Sequence, residues 1–288
     1  MFTDLEYPQS PSFNEADISD KPTVIQELGS TGDEFDTGDA NALFRKRARS
    51  MQSVDELVAE VIATLEKNGQ LENTYVIFTS DNGFHMGEHR VPSGKGMPYE
   101  EDIHVPFLIR GPGIVPDTQI SQMIANIDLA PTIAELTSIR TESFVDGRSF
   151  APFLDPNADL PDLWRQGLLI EIGYTDGRFS SNFQTASLDP NPLSSILEYP
   201  DSAYDNYLAE EDGATYRGIR AQNYVYSEYE NGDIEFYDLT SDPYELNNIA
   251  ATIDPGFLAQ LHAQLELLKT CSAEICRTVE NELIPERP

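Results

Sequence analysis

The spacing of apolar positions changes several times along the chain, and each change marks an element. From Ala42 to Asn68, Met51, Val54, Val58, Val61, Ile62 and Leu65 recur at three- and four-residue steps, which predicts an amphipathic helix. Asn68-Gly69 supplies its stop. Tyr75 to Thr79 is a continuous β-rich run, the pattern of a strand buried on both faces. A glycine-rich loop from Asp81 to Tyr99 separates it from a second apolar run, Val105 to Arg110, and Gly111-Pro112-Gly113 then breaks the chain. Asp128 and Pro131 stand where a helix start favours them, so a helix is expected to run on to about Leu136. Asp146-Gly147-Arg148-Ser149 reads as a turn before the short apolar piece Phe150 to Leu154.

Outside this middle region the texture differs. Residues 1 to 40 carry Pro8, Pro11, Pro22 and many acids with little periodicity, and read as an irregular lead-in. Pro156 to Pro161 is linker-like. Leu168 to Ile172 reads as a strand, whereas Asp176 to Asp212 is polar and aperiodic. Tyr216 to Tyr229 and Ile234 to Leu239 read as two strands joined through Glu230-Asn231-Gly232-Asp233, a hairpin signal. Phe257 to Leu268 has helical spacing. The expected organisation is an α/β part over residues 1–160, followed over 161–288 by an α+β subdomain with a small antiparallel sheet and a terminal helix.

Charge narrows the functional classes. Asp and Glu number 50 against 18 Lys and Arg, a formal net charge of -32. Nucleic acid is excluded as an expected partner, because phosphate binding needs a basic footprint, and an anionic membrane surface is disfavoured on the same ground. No run approaches the ~20 apolar residues of a membrane helix. The acidic start Met1 to Glu6 has no apolar core of a signal peptide. Cys271 and Cys276 are spaced for a small-loop disulfide, which suggests an oxidising compartment; a reduced pair is the alternative.

The candidate chemistry sits in the loop after the first strand. Asp81 and Asn82 place a carboxylate and an amide oxygen side by side, donors suited to a hard cation, although Ca²⁺ takes about 6–8 oxygens and most must come from elsewhere. Lys95 lies in Ser93-Gly94-Lys95-Gly96, where it can approach a sulfate or phosphate oxygen closely. His85 and His89 have H-x-x-x-H spacing, but Gly83 and Gly87 argue against a helix and no third zinc ligand is evident. A hydrogen-bonded or substrate-contacting loop histidine is the expected role there. Arg45-Lys46-Arg47-Arg49 is a basic cluster expected to pair with the acidic surface, with a substrate role as the alternative. No G-x-S-x-G and no placed Cys-His pair occurs.

Taken together, Tyr75 to Arg90, Gly94 to Gly113, Asn126 to Leu136, Asp146 to Ser149, Tyr216 to Arg220, Glu235 to Leu239 and Asp242 to Asn248 resemble, in order, the phrases of type I sulfatases of the alkaline phosphatase superfamily. Ser12-Phe13-Asn14-Glu15, Asp20-Lys21-Pro22 and Cys271 to Arg277 resemble the branch holding N-acetylglucosamine-6-sulfatases and related arylsulfatases. The resemblance implies a partial alkaline-phosphatase-like sheet with flanking helices, hydrolysis of sulfate esters, and a secreted, periplasmic or lysosomal setting. It implies Asp81 and Asn82 as Ca²⁺ ligands, Lys95 as the residue holding the substrate sulfate, and His85 near a sugar. The family's paired aspartates and its Cys-x-Pro-x-Arg nucleophile segment find no counterpart in these residues. The expectation is therefore a C-terminal portion with no catalytic nucleophile, negligible activity alone, weak calcium binding and dependence on a missing N-terminal portion. The alternatives are a pseudo-sulfatase binding sulfated glycans, and a phosphodiesterase or phosphonate hydrolase of the same superfamily.

Overall fold

The computed structural model describes residues 2–31, 37–172 and 215–282. The first departure from expectation comes at once. The lead-in contains a helix, α1 (Thr23–Thr31). Pro22 opens it, its carbonyl accepting from Gln26 N at 3.1 Å, and Asp233 Oδ2 accepts from Thr23 N at 2.7 Å. Val24, Ile25 and Leu28 put one short apolar face into the core. That face is about one turn long and flanked by acids, too short to register as a period.

The long helix α2 (Thr37–Lys67) follows and ends as expected at Asn68-Gly69, where Gly69 takes φ 63°. Within the basic cluster, Arg45 Nε donates to Leu5 O at 2.6 Å and the Arg47 guanidinium lies 4.1 Å from the Phe84 ring centroid. The strands β1 (Val76–Thr79) and β2 (Phe107–Arg110) pair antiparallel, with Ile77 opposite Ile109. All four residues of β1 are half-buried, so the expected burial on both faces is corrected. Among the described residues β2 is its one neighbour, and an apolar run cannot reveal how many neighbours a strand has. Between them lies α3 (Glu100–Ile103), and beyond β2 come α4 (Leu129–Leu136) and α5 (Ala151–Leu154).

The second sheet is a four-stranded antiparallel meander: β3 (Gly167–Ile172), β4 (Tyr216–Ala221), β5 (Tyr224–Tyr229) and β6 (Ile234–Asp238). The run Tyr216 to Tyr229, expected as one strand, is two. Gln222-Asn223 turns the chain between them, and Asn223 O accepts from Leu239 N at 2.8 Å. The Asn231-Gly232 turn between β5 and β6 is as expected, with Gly232 at φ 92°. The segment Asp176 to Asp212 lies outside the described residues.

This sheet is buried on both faces because both sides of its alternation are apolar. Ile170, Tyr216, Val225, Tyr229 and Tyr237 face α1, Met97 and Tyr99. Ile219, Tyr224, Tyr226 and Phe236 face Phe257, Leu261, Leu265 and Leu268 of α6 (Pro255–Thr270). Asp254 caps α6 by accepting from Phe257 N at 2.9 Å. A Cys271–Cys276 disulfide joins its end to α7 (Glu274–Asn281). No helix among the described residues is long and apolar enough to cross a membrane. The architecture is thus mixed α/β with two antiparallel sheets, and the first core joins chain on both sides of residue 160.

Candidate functional site

The loop after β1 is tied down from three directions. Inside it, Asp81 Oδ1 accepts from Asn82 N at 3.0 Å, and Ser80 Oγ donates to Asn82 O at 2.8 Å. From one side Asn126 Nδ2 donates to Ser80 O and Asp81 O at 3.1 and 3.0 Å. From the other, α3 receives the loop: Gly83 N donates to Asp102 O at 2.8 Å and Phe84 N to Glu101 O at 2.9 Å. Only glycine allows that approach, because a Cβ on residue 83 would lie 1.9 Å from Glu101 O. Gly83→Ala is therefore expected to displace the loop and cost about 1–3 kcal/mol of stability. A urea midpoint unchanged from the parent chain would refute the tight contact.

Asp81 is exposed and Asn82 half-buried. Asn82 Nδ2 is spent on Gly83 O at 2.9 Å, which turns the amide oxygen away from its own turn. Asp81 Oδ2 and Asn82 Oδ1 have no hydrogen bond among the described residues. Two free hard oxygens fit Ca²⁺ in donor type and supply only part of its shell.

Lys95 reaches the same neighbourhood through backbone pairing. His85 N donates to Gly94 O at 3.0 Å and Gly94 N to His85 O at 3.1 Å, a register that puts Lys95 opposite Phe84. Lys95 itself is exposed. Arg47, stacked on Phe84, brings a second cation to this spot from α2. Burial lowers its pKa from the usual arginine value. The sequence placed Arg47 only in a general basic cluster, and nothing in its spacing singled it out.

His85 is not presented to solvent. Its ring is buried, with Nδ1 2.9 Å from Asp102 Oδ1 and Nε2 2.8 Å from Pro92 O. Asp102 Oδ2 also accepts from Met97 N at 2.7 Å. The histidine thus ties both ends of the turn that carries Lys95. Of the residues singled out in the sequence, Asp81 and Lys95 are exposed, Asn82 is half-buried and His85 is buried.

A buried ionic network holds Asn126 in place. Asp128, fully buried, accepts from Arg165 Nη1 and Nη2 at 2.5 and 3.0 Å, and from the backbone of Ala125 and Arg148 at 2.8 Å each. Glu280 of α7 accepts from Arg165 Nε at 2.9 Å and Arg148 Nη2 at 2.6 Å. Asp128 was read as a helix-start residue, and its arginine partners lie too far along the chain for any local pattern to expose them. A cleft of about 350 Å³ lined by Tyr75, Ile114, Leu136 and Pro152 contains none of the candidate residues.

Comparison with known proteins bears on this loop and on the whole chain. The family description "Sulfatase" matches residues 7–139. Over 246 residues the chain is 39% identical to N-acetylglucosamine-6-sulfatase of Bos taurus, covering 82% of this chain and 41% of that protein. It is 31% identical over 304 residues to arylsulfatase of Chlamydomonas reinhardtii, covering 99% of this chain and 44% of that protein. The chain therefore spans less than half the length of these curated relatives. A solved structure of a protein in complex with its substrate D-glucosamine-2-N,6-O-disulfate matches with a TM-score of 0.59 at 26% identity, over 83% of this chain and 42% of that one.

Proposed function

The chain belongs to the sulfatase family, with the alkaline phosphatase-like fold of its structural neighbours, and we propose that the loop carrying Asp81, Asn82 and Lys95 is its calcium- and sulfate-binding half-site for a sulfated sugar. The observation that carries this reading is the fixed loop itself: two unspent oxygens at the end of β1 and an exposed lysine on the paired turn. Calcium bound there would neutralise charge on a sulfate oxygen. Asp81 and Asn82 would hold it, and Lys95 would offer a point charge to a second oxygen. His85 acts through Lys95, by fixing the turn at Gly94 and Pro92. The sugar is suggested by the bovine relative's name and by the substrate named with the solved structure. The Cys271–Cys276 disulfide supports an oxidising setting, secreted, periplasmic or lysosomal.

These 288 residues contain no Cys-x-Pro-x-Arg or Ser-x-Pro-x-Arg sequence. On the formylglycine mechanism that the family resemblance implies, they hold the charge-stabilising half of a site and no nucleophile. The purified 288-residue chain is expected to leave 4-nitrocatechol sulfate unhydrolysed and to bind Ca²⁺ weakly, at roughly 10⁻³ M. Calorimetry should show that binding vanish in Asp81→Ala. Turnover at the rate of an intact sulfatase would overturn the inactive reading. Calcium binding indifferent to Asp81 would overturn the site.

A further inference from the structure

Three side chains from separate segments of the chain converge at α3. They are His89, Glu101 and Glu245, and one ligand atom of each lies within 4.8 Å of the others. Every one of them has a polar atom already used to fix its direction. His89 Nδ1 is 2.7 Å from Glu15 Oε2, and the ring packs on Tyr99 with centroids 4.1 Å apart. Glu101 Oε1 accepts from Ser12 Oγ at 3.3 Å, and Glu245 Oε2 from Glu100 N at 2.9 Å. The other atoms, His89 Nε2, Glu101 Oε2 and Glu245 Oε1, are buried with no hydrogen-bond partner among the described residues.

Three buried polar atoms without a hydrogen-bond partner, on side chains that converge to within 4.8 Å, make an unstable arrangement by themselves. With Glu15 accepting from Nδ1–H, His89 keeps a lone pair on its unpartnered Nε2. Protons retained on Glu101 and Glu245 are the competing way to satisfy these atoms. A divalent cation satisfies all three at once. The charge inventory agrees: Lys21 lies 3.4 Å from Glu15 Oε1, so Lys21, Glu15, Glu101 and Glu245 together carry two net negative charges when ionised. Backbone conformation is spent here too. His89 and Glu245 sit at φ 51° and 55°, left-handed values that non-glycine residues seldom adopt.

We propose that His89 Nε2, Glu101 Oε2 and Glu245 Oε1 form a buried site for a divalent cation of the Zn²⁺ class, separate from Asp81 and Asn82. One imidazole and two carboxylates match zinc better than calcium, which prefers about 6–8 oxygens. Ligand distances of about 2.0–2.2 Å require the three atoms to close to roughly 3.5 Å, a matter of small side-chain rotations. Glu15 serves as the carboxylate that holds the ligand imidazole in its tautomer. Burial holds His89 neutral, pushes Glu101 up to about 7 and pushes Glu245 well above the usual carboxylate range.

The ion would staple three segments: the turn at His89, α3, and the turn after β6 that holds Glu245. Since Glu101 O and Asp102 O also receive the Gly83-Phe84 backbone, the staple would brace the Asp81–Asn82 loop from behind. The site does not depend on the chain hydrolysing anything.

The test is metal binding by the full chain after chelator treatment. Equilibrium dialysis against Zn²⁺ followed by elemental analysis should return about one Zn²⁺ per chain, and Co²⁺ should give visible absorption bands of low-symmetry coordination. Glu101→Gln and Glu245→Gln should each weaken binding by at least about 100-fold, and Glu15→Gln by about 10–100-fold. Circular dichroism must show each variant folded; Glu101, half-buried, is the substitution best tolerated. A chain that retains no zinc, or variants that bind it as the parent does, would overturn the site. So would loss of the zinc on replacing the exposed His104 and His262 by alanine.

Discussion

Glu235→Ala is expected to cost about 3–5 kcal/mol of folding stability, as much as truncating a fully buried aromatic of the same sheet. Glu235 is fully buried on β6, yet its carboxyl faces no cation at hydrogen-bonding distance among the described residues. It accepts instead from three phenols, Tyr99, Tyr229 and Tyr237, each at 2.7 Å. These belong to the segment before α3, the end of β5 and β6 itself, so one side chain links three pieces of the first core. Alanine would strand three buried hydroxyls, each worth about 1–3 kcal/mol when unsatisfied and less than additive as a group. Glu235→Gln keeps an acceptor and should cost far less. Urea denaturation of both variants measures the difference; equal midpoints for the two would show that the phenols have other acceptors.

The same residue gives a pH test. Burial raises the Glu235 pKa despite the three phenol hydrogen bonds that favour its charge. A raised folded-state value means the stabilisation is fully present below the unfolded value, near 4.5, and is lost as pH rises through the folded value. The stability of the parent chain should therefore fall, relative to Glu235→Gln, as pH rises from the unfolded value, near 4.5, through the raised folded one. A constant difference across that range would argue against the shift.

The parts of this fold that local pattern could reveal are those whose cause is local. The period of α2, the Asn231-Gly232 turn and the apolar run of β1 each act through neighbours a few residues away, and each was legible. The short face of α1 was not, because Val24, Ile25 and Leu28 gain their meaning only against Tyr237 and Val225, some 200 residues on. The functional loop divides the same way. Asp81-Asn82 and the glycine-flanked Lys95 are visible as turn chemistry. Asn126, which holds the loop, and Arg47, which stacks beside it, act across the fold. His89 is the sharpest case. H-x-x-x-H spacing offered His85 as its partner, whereas the groups around it come from residues 15, 101 and 245. Spacing along one helix face cannot anticipate ligands delivered by a helix and a turn on other segments.

Arg165→Met should be the second severe substitution, at about 3–5 kcal/mol, and the one with a functional consequence at a distance. The side chains of Arg165 and Asp128 are completely buried, and those of Glu280 and Arg148 almost so. Two guanidinium groups balance two carboxylates here, inside a chain of formal net charge -32. Removing Arg165 leaves Arg148 facing both acids, one excess negative charge without water. Breaking one partner is the costly change; replacing the whole network with apolar groups can be neutral. The exposed pair Arg217–Glu171, 3.0 Å apart, is the proper control, and its loss should register at about 0–1 kcal/mol. The network also sets the position of Asn126, two residues before Asp128, and Asn126 clamps the carbonyls of Ser80 and Asp81. Arg165→Met should therefore weaken Asp81-dependent calcium binding under conditions where circular dichroism still reports a folded chain. A variant that loses stability while keeping its calcium affinity would show that α7 is anchored by this network and the loop is not. A variant that loses neither would mean that water reaches Asp128 and Glu280 and replaces the guanidinium.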